Sequence, residues 1–198
     1  RIAETLNVVY GDIRVDYGVG GIHSALQGHH QSTKDEVIMS FDVASMYPNI
    51  AIANNVYPEH LNRSFCKSYQ DFYNERKKFA KGTAENLAIK LGLNATYGNS
   101  NNKYSPFYDP KYTMSITING QLSLTMLMEK LVQKFDVKML MLNTDGLEFI
   151  VKREYQKDVE ELVSKWEKHT GLQMEGVFYS DMYIADVNSY IAIAMEEN

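Results

Sequence analysis

The sequence is poor in cysteine, proline and tryptophan, with one, four and one of them among 198 residues. The lone cysteine, Cys66, excludes an internal disulfide framework and any multi-cysteine zinc site, and we expect it to be a small core residue. No apolar run approaches the length that crosses a bilayer, and the first residues lack the basic and apolar regions of a signal peptide. These absences predict a soluble, intracellular protein of the cytoplasm without a membrane partner.

A surplus of basic residues is also missing, since the formal net charge is −5. Domains that bind nucleic acid usually carry a basic surplus, so the charge argues against such a partner. However, basic residues are concentrated in residues 63–82, RSFCKSYQDFYNERKKFAKG, and a site built on carboxylates is itself acidic. The charge therefore leaves a nucleic-acid partner open.

The chain is long enough to bury a full core, because 44% of its 198 residues are hydrophobic. Its 12 glycines and few prolines are spread thinly, without a repeat, a low-complexity tract or a linker. We therefore expect one continuous unit, or one domain with an excursion.

The first half of the sequence predicts one buried strand and several helices. Residues 37–43 are apolar and rich in β-branched side chains, which favours a strand, and residues 45–55 favour a short helix. Residues 62–81 predict a charged helix. A second helix is expected from Thr83 as N-cap to Tyr97, with Gly98 as its C′ glycine. The two helices predict a helical hairpin.

The second half predicts a long helix over residues 109–135, because Asp109-Pro110 is a typical helix start. The stretch VKMLMLNTDGLEFIVK predicts a β-hairpin with its turn at residues 143–146. A charged amphipathic helix over residues 153–169 is expected to end at Gly171, and residues 172–195 predict two or three strands. The fold class is therefore α+β, with an antiparallel sheet backed by long helices.

Some polar and glycine-rich positions are given structural interpretations. Gly18, Gly20 and Gly21 predict a turn and lack the following lysine of a phosphate-binding loop. The pair His29-His30 predicts a polar loop. Glu148, on the strand after the hairpin turn, is expected to be exposed.

Three features carry chemistry. Asp42 ends the first strand and Asp145 lies at the hairpin turn, while Lys90, Asn94 and Tyr97 are spaced i, i+4, i+7 on one helix face. Each feature alone is a weak indication of a functional site, because a carboxylate at a turn is commonly a cap and a helical lysine is commonly solvated.

Together these stretches resemble the motifs of family B DNA polymerases, especially bacteriophage members. SFDVASMYPNI resembles D-x-x-S-L-Y-P-S-I, NLAIKLGLNATYG resembles K-x-x-x-N-S-x-Y-G, and LNTDGLEF resembles the D-T-D-S hairpin. The order of the motifs agrees as well. The chain departs from the motifs at a few positions, which are Met46, Asn49, Ala95, Asn143 and Gly146.

Two further stretches extend the resemblance over nearly the whole chain. YGVGGIHS looks like the glycine-rich element that joins exonuclease and polymerase regions, and DVNSYIAI looks like a primer-contacting segment. The resemblance implies a polymerase palm in residues 1–61 and 99–198 and a short helical fingers hairpin in residues 62–98. It also implies that a larger viral chain supplies the missing exonuclease and thumb regions, in the cytoplasm of a host cell.

The resemblance implies template-directed DNA synthesis with two Mg²⁺ ions, with Mn²⁺ as a possible substitute. Asp42, Asp145 and the backbone carbonyl of Val43 are then the metal ligands, and the two aspartates are the catalytic residues. Hard oxygen ligands of this kind suit magnesium. The implied partners are a DNA primer-template and deoxynucleoside triphosphates.

The resemblance also implies a set of binding residues around the nucleotide and the primer. Backbone N–H groups of Ser45 and Met46 and the side chains of Arg76 and Lys90 would contact the triphosphate. Tyr47 would exclude a 2′-hydroxyl and so select deoxynucleotides. The remaining implied contacts are Asn94 and Tyr97 on the nascent base pair, and Gly98 and Tyr190 on DNA.

Two alternatives stay open. The first is a noncatalytic nucleic-acid-binding palm module, which Asn143, Ala95 and the acidic net charge favour. The second is a primase or a reverse transcriptase, which shares the carboxylate and metal chemistry. Tyr47 and the Lys90 helix oppose a primase.

Overall fold

The computed structural model describes residues 5–195 and divides into two compact units. The first unit combines the residues up to 44 with those from 121 onward, and the second is Ser45–Gly120. The outer ends of the predicted palm, residues 1–4 and 196–198, lie outside the described residues. The division into palm and fingers stays a prediction.

Within the described residues of the first unit, nine strands form one antiparallel sheet. The strands are β1 Leu6–Tyr10, β2 Ile13–Tyr17, β3 Ile22–Ala25, β4 Gly28–Gln31, β5 Glu36–Val43, β6 Lys138–Asn143, β7 Gly146–Lys152, β8 Met174–Asp186 and β9 Ser189–Ala194. Their order is β1-β2-β3-β6-β7-β5-β8-β4, and β9 pairs with β8. The mixed class with an antiparallel sheet is confirmed, and β5 lies between β7 and β8.

The helices are α1 Met46–Ala53, α2 Ser64–Arg76, α3 Ala84–Gly98, α4 Pro110–Phe135 and α5 Gln156–Thr170, with short 3-10 turns at Glu59–Leu61 and Arg153–Tyr155. Among residues 5–195, no helix combines the length and apolar character of a bilayer span.

The helix ends follow the capping residues in most cases. The Thr83 side chain accepts the N–H of Asn86 at 3.3 Å, and Asp109 Oδ1 accepts two backbone N–H groups at the start of α4. Gly171 ends α5 with φ 73°. The prediction for Gly98 is wrong, because α3 includes it and its C-cap is Asn99 with φ −89°.

The N-terminal strands were not predicted from the sequence. Strands β1 and β2 form a tight hairpin in which Gly11 adopts φ 58°, a left-handed conformation that suits glycine. Ile13 and Val15 of β2 are buried at alternate positions. The polar loop expected at His29-His30 is wrong, since both residues belong to β4.

The core of the first unit forms on the central strands. A buried cluster on β5, β6 and β8 consists of Ile38, Leu140, Met141, Met182 and Ile184. All five residues at 37–41 of β5 are buried, whereas Asp42 is exposed. The strand is therefore covered on both faces over these residues, and the side chain of Asp42 reaches the surface between the buried Phe41 and Val43.

The second unit packs α2 against α3. The Tyr69 hydroxyl of α2 donates to the Leu93 carbonyl of α3 at 2.6 Å, which ties the two helices together. Gly92 allows close approach, because a Cβ there would lie 3.1 Å from the Phe72 ring. Cys66 is 8% exposed and free, so the prediction of a core cysteine is confirmed.

Candidate active site

Asp42 and Asp145 are brought side by side by the pairing of β5 with β7. Asp42 lies directly opposite Gly146, the residue that follows Asp145. The backbone N–H of Val43 donates to the carbonyl of Asp145 at 2.7 Å, which fixes the turn against the end of β5. Two residues about a hundred positions apart along the chain therefore meet at one end of the sheet.

The environment of Asp42 disfavours its negative charge. Partial burial of the carboxyl group, followed by the charges of Asp145 and Glu175, raises its pKa to about 6. Glu175 lies opposite Asp42 on β8, so carboxylates flank the strand end. This concentration of like charge is a physical reason for a cation to bind here.

Glu148 is an acidic residue of this region that the sequence analysis misread. It was expected to be exposed, but it is only 4% exposed. Ser40 Oγ donates to its Oε1 at 3.2 Å, and within the described residues its Oε2 has no hydrogen-bond partner. Burial, and then the charge of Asp42, raises its pKa to about 8.

Gly146 provides the space that the Asp42 carboxylate occupies. A Cβ built on Gly146 would overlap Asp42 Oδ1 and lie 3.0 Å from Asp42 Cγ. A serine, which the family motif has at this position, is incompatible with this orientation of Asp42. Gly21 lies close to the same turn. A Cβ built on Gly21 would be only 2.8 Å from Thr144 Oγ1.

The fit of a divalent cation can be tested on these side chains. No group of three or more His, Cys, Asp or Glu side chains within residues 5–195 is arranged so that it could hold a metal ion. The donor chemistry nevertheless suits one, since carboxylate oxygens are the hard ligands that Mg²⁺ prefers. Within residues 5–195, the buried Oε2 of Glu148 has no hydrogen-bond partner. Asp42 and Asp145 thus have the donor chemistry for a divalent cation, but no third acidic, histidine or cysteine side chain in this part of the chain completes a metal site with them.

Tyr190 lies within electrostatic reach of the carboxylates. It is on β9, 43% exposed, and opposite Ile184 of β8. Its pKa is raised by partial burial and then by the charges of nearby acidic groups, of which Glu148 is the first. The predicted DNA contact at Tyr190 stays a prediction.

In the second unit, Arg76 is held by hydrogen bonds from both sides. Its Nη1 donates to Ser45 Oγ at 2.5 Å and its Nε donates to Asn86 Oδ1 at 3.2 Å. Ser45 is the N-cap of α1 and adopts φ 47°, a left-handed conformation uncommon for serine. The predicted phosphate residues Ser45 and Arg76 therefore contact one another.

Asn86 is a second residue that the sequence analysis did not identify. It is 7% exposed, and its Nδ2 donates to the carbonyls of Arg76 at 3.3 Å and Phe79 at 3.0 Å. One buried amide thus bonds both the guanidinium of Arg76 and the backbone at the end of α2. In the sequence, only its position one helical turn before Lys90 could have indicated that Asn86 lies near the predicted phosphate contacts.

The other predicted nucleotide residues lie on α1 and α3. The rings of Tyr47 and Tyr97 stack with centroids 4.0 Å apart and planes 17° apart, and the Tyr97 hydroxyl is 2.9 Å from Thr117 Oγ1. Lys90 and Asn94 are exposed on α3. Two further predicted contact residues differ in exposure. Met46 is only 4% exposed, whereas Gly98 is exposed at the end of α3.

The remaining polar candidates have structural roles. His29 stacks on Tyr183 with ring centroids 4.2 Å apart and hydrogen-bonds Asp181 at 2.8 Å across β4 and β8. The glycines between β2 and β3 form a turn, as predicted, with the Gly18 N–H bonded to the Gly21 carbonyl at 2.9 Å.

No protein-family model matches the sequence. The chain is 26% identical over 185 residues to a DNA polymerase of Thermococcus sp. (strain 9oN-7), which covers 74% of this chain and 24% of that protein. It is 25% identical over 203 aligned positions to DNA polymerase 1 of Pyrococcus abyssi (strain GE5 / Orsay). That alignment covers 81% of this chain and 26% of that protein. The chain is similar to part of archaeal DNA polymerases.

The fold has a counterpart among solved structures. The family B DNA polymerase from the hyperthermophilic archaeon Pyrobaculum calidifontis matches with a TM-score of 0.60 and 16% identity, over 97% of this chain and 29% of that one. The chain spans about a quarter of the length of the curated relatives it matches. These relatives are archaeal, and the likeness to bacteriophage members stays a prediction.

Proposed function

We propose that this chain is part of a DNA-directed DNA polymerase that adds deoxynucleotides to the 3′ end of a primer. The observation that carries the proposal is the meeting of Asp42 and Asp145 across β5 and β7, where burial and then the charge of Asp145 raise the pKa of Asp42. Sequence similarity to DNA polymerases supports it independently.

Asp42, Asp145 and the carbonyl of Val43 hold two Mg²⁺ ions in this proposal. When bound, such ions stabilise the attacking and the leaving oxygens of phosphoryl transfer. The protein residues supply the hard oxygens and fix their spacing, because the Val43 N–H bond to the Asp145 carbonyl locks the turn to the strand end. Gly146 keeps the space that the Asp42 carboxylate needs.

The second unit binds the deoxynucleoside triphosphate. Lys90 and Arg76 pair with the phosphates, and a guanidinium suits bidentate phosphate contact. The bonds from Arg76 to Ser45 and Asn86 restrict its rotamers and so lower the entropy lost on binding. Tyr47, stacked on Tyr97, is held as a rigid barrier to a 2′-hydroxyl.

The DNA primer-template is the second substrate. Gly98, Asn94 and Tyr97 of α3 lie beside the nascent base pair in this proposal, and Tyr190 contacts the primer. Exonuclease and thumb regions are supplied by the rest of a larger chain, in keeping with the quarter of the relatives' length that this chain spans.

Primer extension with Mg²⁺ tests the proposal. Asp42→Ala and Asp145→Ala should each lower the rate on the order of 1,000-fold, because each removes a carboxylate that the reaction requires. Asp35→Ala is the matched control, since Asp35 is an exposed aspartate just before the opposite end of β5. Extension by either site variant at the parent rate contradicts the proposal.

A noncatalytic DNA-binding module is the second candidate. It is favoured by Asn143 in place of an aspartate and by the lack, within residues 5–195, of a ready group of three metal-binding side chains. It predicts DNA binding that does not respond to Mg²⁺ and no incorporation of nucleotide by the parent chain in the same assay.

A further inference from the structure

The turn that carries Asp145 has an uncommon backbone for its length. Strand β6 ends at Asn143 and β7 begins at Gly146, so Thr144 and Asp145 alone connect the two strands. Two-residue hairpin loops are usually of type I′ or II′, and both types need a positive φ at the first loop residue. Neither Thr144 nor Asp145 has a positive φ. Contacts from outside the hairpin therefore contribute to holding this turn in place.

The neighbouring strands provide such contacts from both sides of the hairpin. On the β7 side, the Val43 N–H of β5 donates to the Asp145 carbonyl at 2.7 Å. On the β6 side, His23 of β3 lies opposite Asn143. Its ring Nε2 is 3.1 Å from Thr144 Oγ1, which is a hydrogen-bond distance. The turn is thus tied to the strand on each side.

The backbone just before His23 limits the space around Thr144. A Cβ built on Gly21 would lie 2.8 Å from Thr144 Oγ1 and 3.0 Å from its Cγ2. Gly21 is buried and has no positive φ, so the space beside Thr144 is what requires glycine here. The side chain of Thr144 is therefore confined between the ring of His23 and the backbone of Gly21.

We propose that His23 is a positioning residue, which holds Thr144 and thereby fixes the orientation of Asp145, a role that rests on the proposed function. Asp145 is exposed, so its orientation depends more on the backbone of the turn than on burial of its own side chain. Misplacing a catalytic group by on the order of 1 Å can cost up to about a hundredfold in rate. His23 and Thr144 are 121 positions apart, so local sequence patterns give no sign of this contact.

Incorporation of a single nucleotide with Mg²⁺ tests the role in three variants of the chain. His23→Phe keeps a ring but removes the hydrogen bond, so kcat should fall about tenfold, while the KM values for nucleotide and primer-template change less than about threefold. His23→Gln keeps a polar atom near the position of Nε2, so its kcat should lie within about threefold of the parent's. His29→Phe is the matched control, because the ring of His29 bonds Asp181 of β8, and its kcat should equal the parent's.

A double-mutant cycle tests whether His23 acts through Thr144. Thr144→Val removes the hydroxyl and keeps the shape of the side chain, so it should lower kcat about as much as His23→Phe does. The double variant should be no slower than either single variant, because both substitutions break the same bond. Losses that multiply would overturn the role, since His23 would then act by another route. A raised KM for primer-template with an unchanged kcat would overturn it as well, because His23 would then contact DNA directly.

Amide hydrogen exchange of the metal-free chain tests the role without a polymerase assay. The Val43 amide reports on the turn, because it donates to the Asp145 carbonyl. Its exchange should be at least about fivefold faster in His23→Phe than in the parent, but parent-like in His23→Gln and His29→Phe. The Ile38 amide, which donates to Ser32 Oγ near the other end of β5, should exchange at the parent rate in every variant.

The outcomes separate this role from the proposed function. Parent-like exchange of Val43 in His23→Phe overturns the role of His23 and leaves the proposed function intact. Equal acceleration of Val43 and Ile38 overturns the role too, because the variant is then destabilised as a whole. No extension by the parent chain overturns the proposed function and, with it, the positioning of a catalytic carboxylate, whatever the exchange of Val43.

Discussion

Glu148 links the stability of the chain to pH. Its pKa is about 8 in the folded chain, because it is buried beside Asp42 and near Asp145, against 4.5 for a free glutamate. The folded chain therefore keeps a proton that the unfolded chain loses. Since unfolding releases this proton, stability falls as pH rises from about 4.5 to about 8 and then levels off. The raised pKa of Asp42, about 6, likewise makes stability fall as pH rises toward that value.

The measurement is thermal unfolding in a metal-free buffer with a chelator, from about pH 5 to about pH 9. The parent should lose roughly 4 kcal/mol more stability over this range than Glu148→Gln, which carries no titrating proton. Glu36→Gln, at an exposed residue of the same strand pair, should follow the parent. Parallel curves for the parent and Glu148→Gln would contradict the expectation.

Single residues also mark the limit of what the sequence predicts. Asp42 and Asp145 were found from motifs, which record residue type and order. Glu148 and Asn86 were not, because their importance comes from burial and from contacts across strands or helices. The register that puts Glu148 on the face of Asp42 depends on the β5 and β7 pairing, and strand periodicity within β7 alone does not specify it.

At the scale of elements, the α2–α3 hairpin carries a prediction about nucleotide binding. Asn86 of α3 accepts a hydrogen bond from Arg76 Nε at 3.2 Å and donates to the Arg76 carbonyl at 3.3 Å. Asn86→Ala should free the guanidinium of Arg76 and raise the KM for deoxynucleotides about tenfold, with kcat changed less than about threefold. Steady-state incorporation of a single nucleotide measures both constants.

Two further variants separate positioning from simple destabilisation of the hairpin. Asn86→Asp keeps an acceptor for Arg76 Nε, so its KM should lie nearer the parent's than that of Asn86→Ala. Asn74→Ala removes an exposed amide of α2 that accepts a hydrogen bond from Gln70, and its KM should equal the parent's. A KM that depends only on melting temperature across the three variants would rule out a positioning role.

Most elements were predictable where local signals decide them. Asp109-Pro110, Thr83 and Gly171 mark helix ends by backbone chemistry that acts within one turn. The sequence LNVVYGDIRVDY carried a comparable hairpin signal around Gly11, which was missed. Strand β4 could not be predicted in this way, since its pairing partner β8 lies about 150 residues further along the chain.

At the scale of the whole molecule, the net charge disfavours binding to DNA. The net charge is −5. Three lysines of the basic 63–82 segment have local partners. Lys67 pairs with Asp71 and Lys78 pairs with Glu75, each at 2.6 Å. Lys77 lies over the ring of Tyr73, 4.6 Å from its centroid. These contacts lie at the surface and are weak, but each places a carboxylate or a ring beside a lysine that could otherwise face phosphate alone.

We consequently expect the isolated chain to bind a primer-template weakly and with a shallow salt dependence. Fluorescence anisotropy over about 50 to 300 mM KCl should give a log–log slope smaller in magnitude than about 3, which corresponds to about three phosphate contacts. Lys67→Ala should change the slope by less than about 1, because that lysine lies beside the carboxylate of Asp71, which repels phosphate. Submicromolar affinity at about 150 mM KCl without Mg²⁺, together with a steep slope, would instead favour the noncatalytic DNA-binding module.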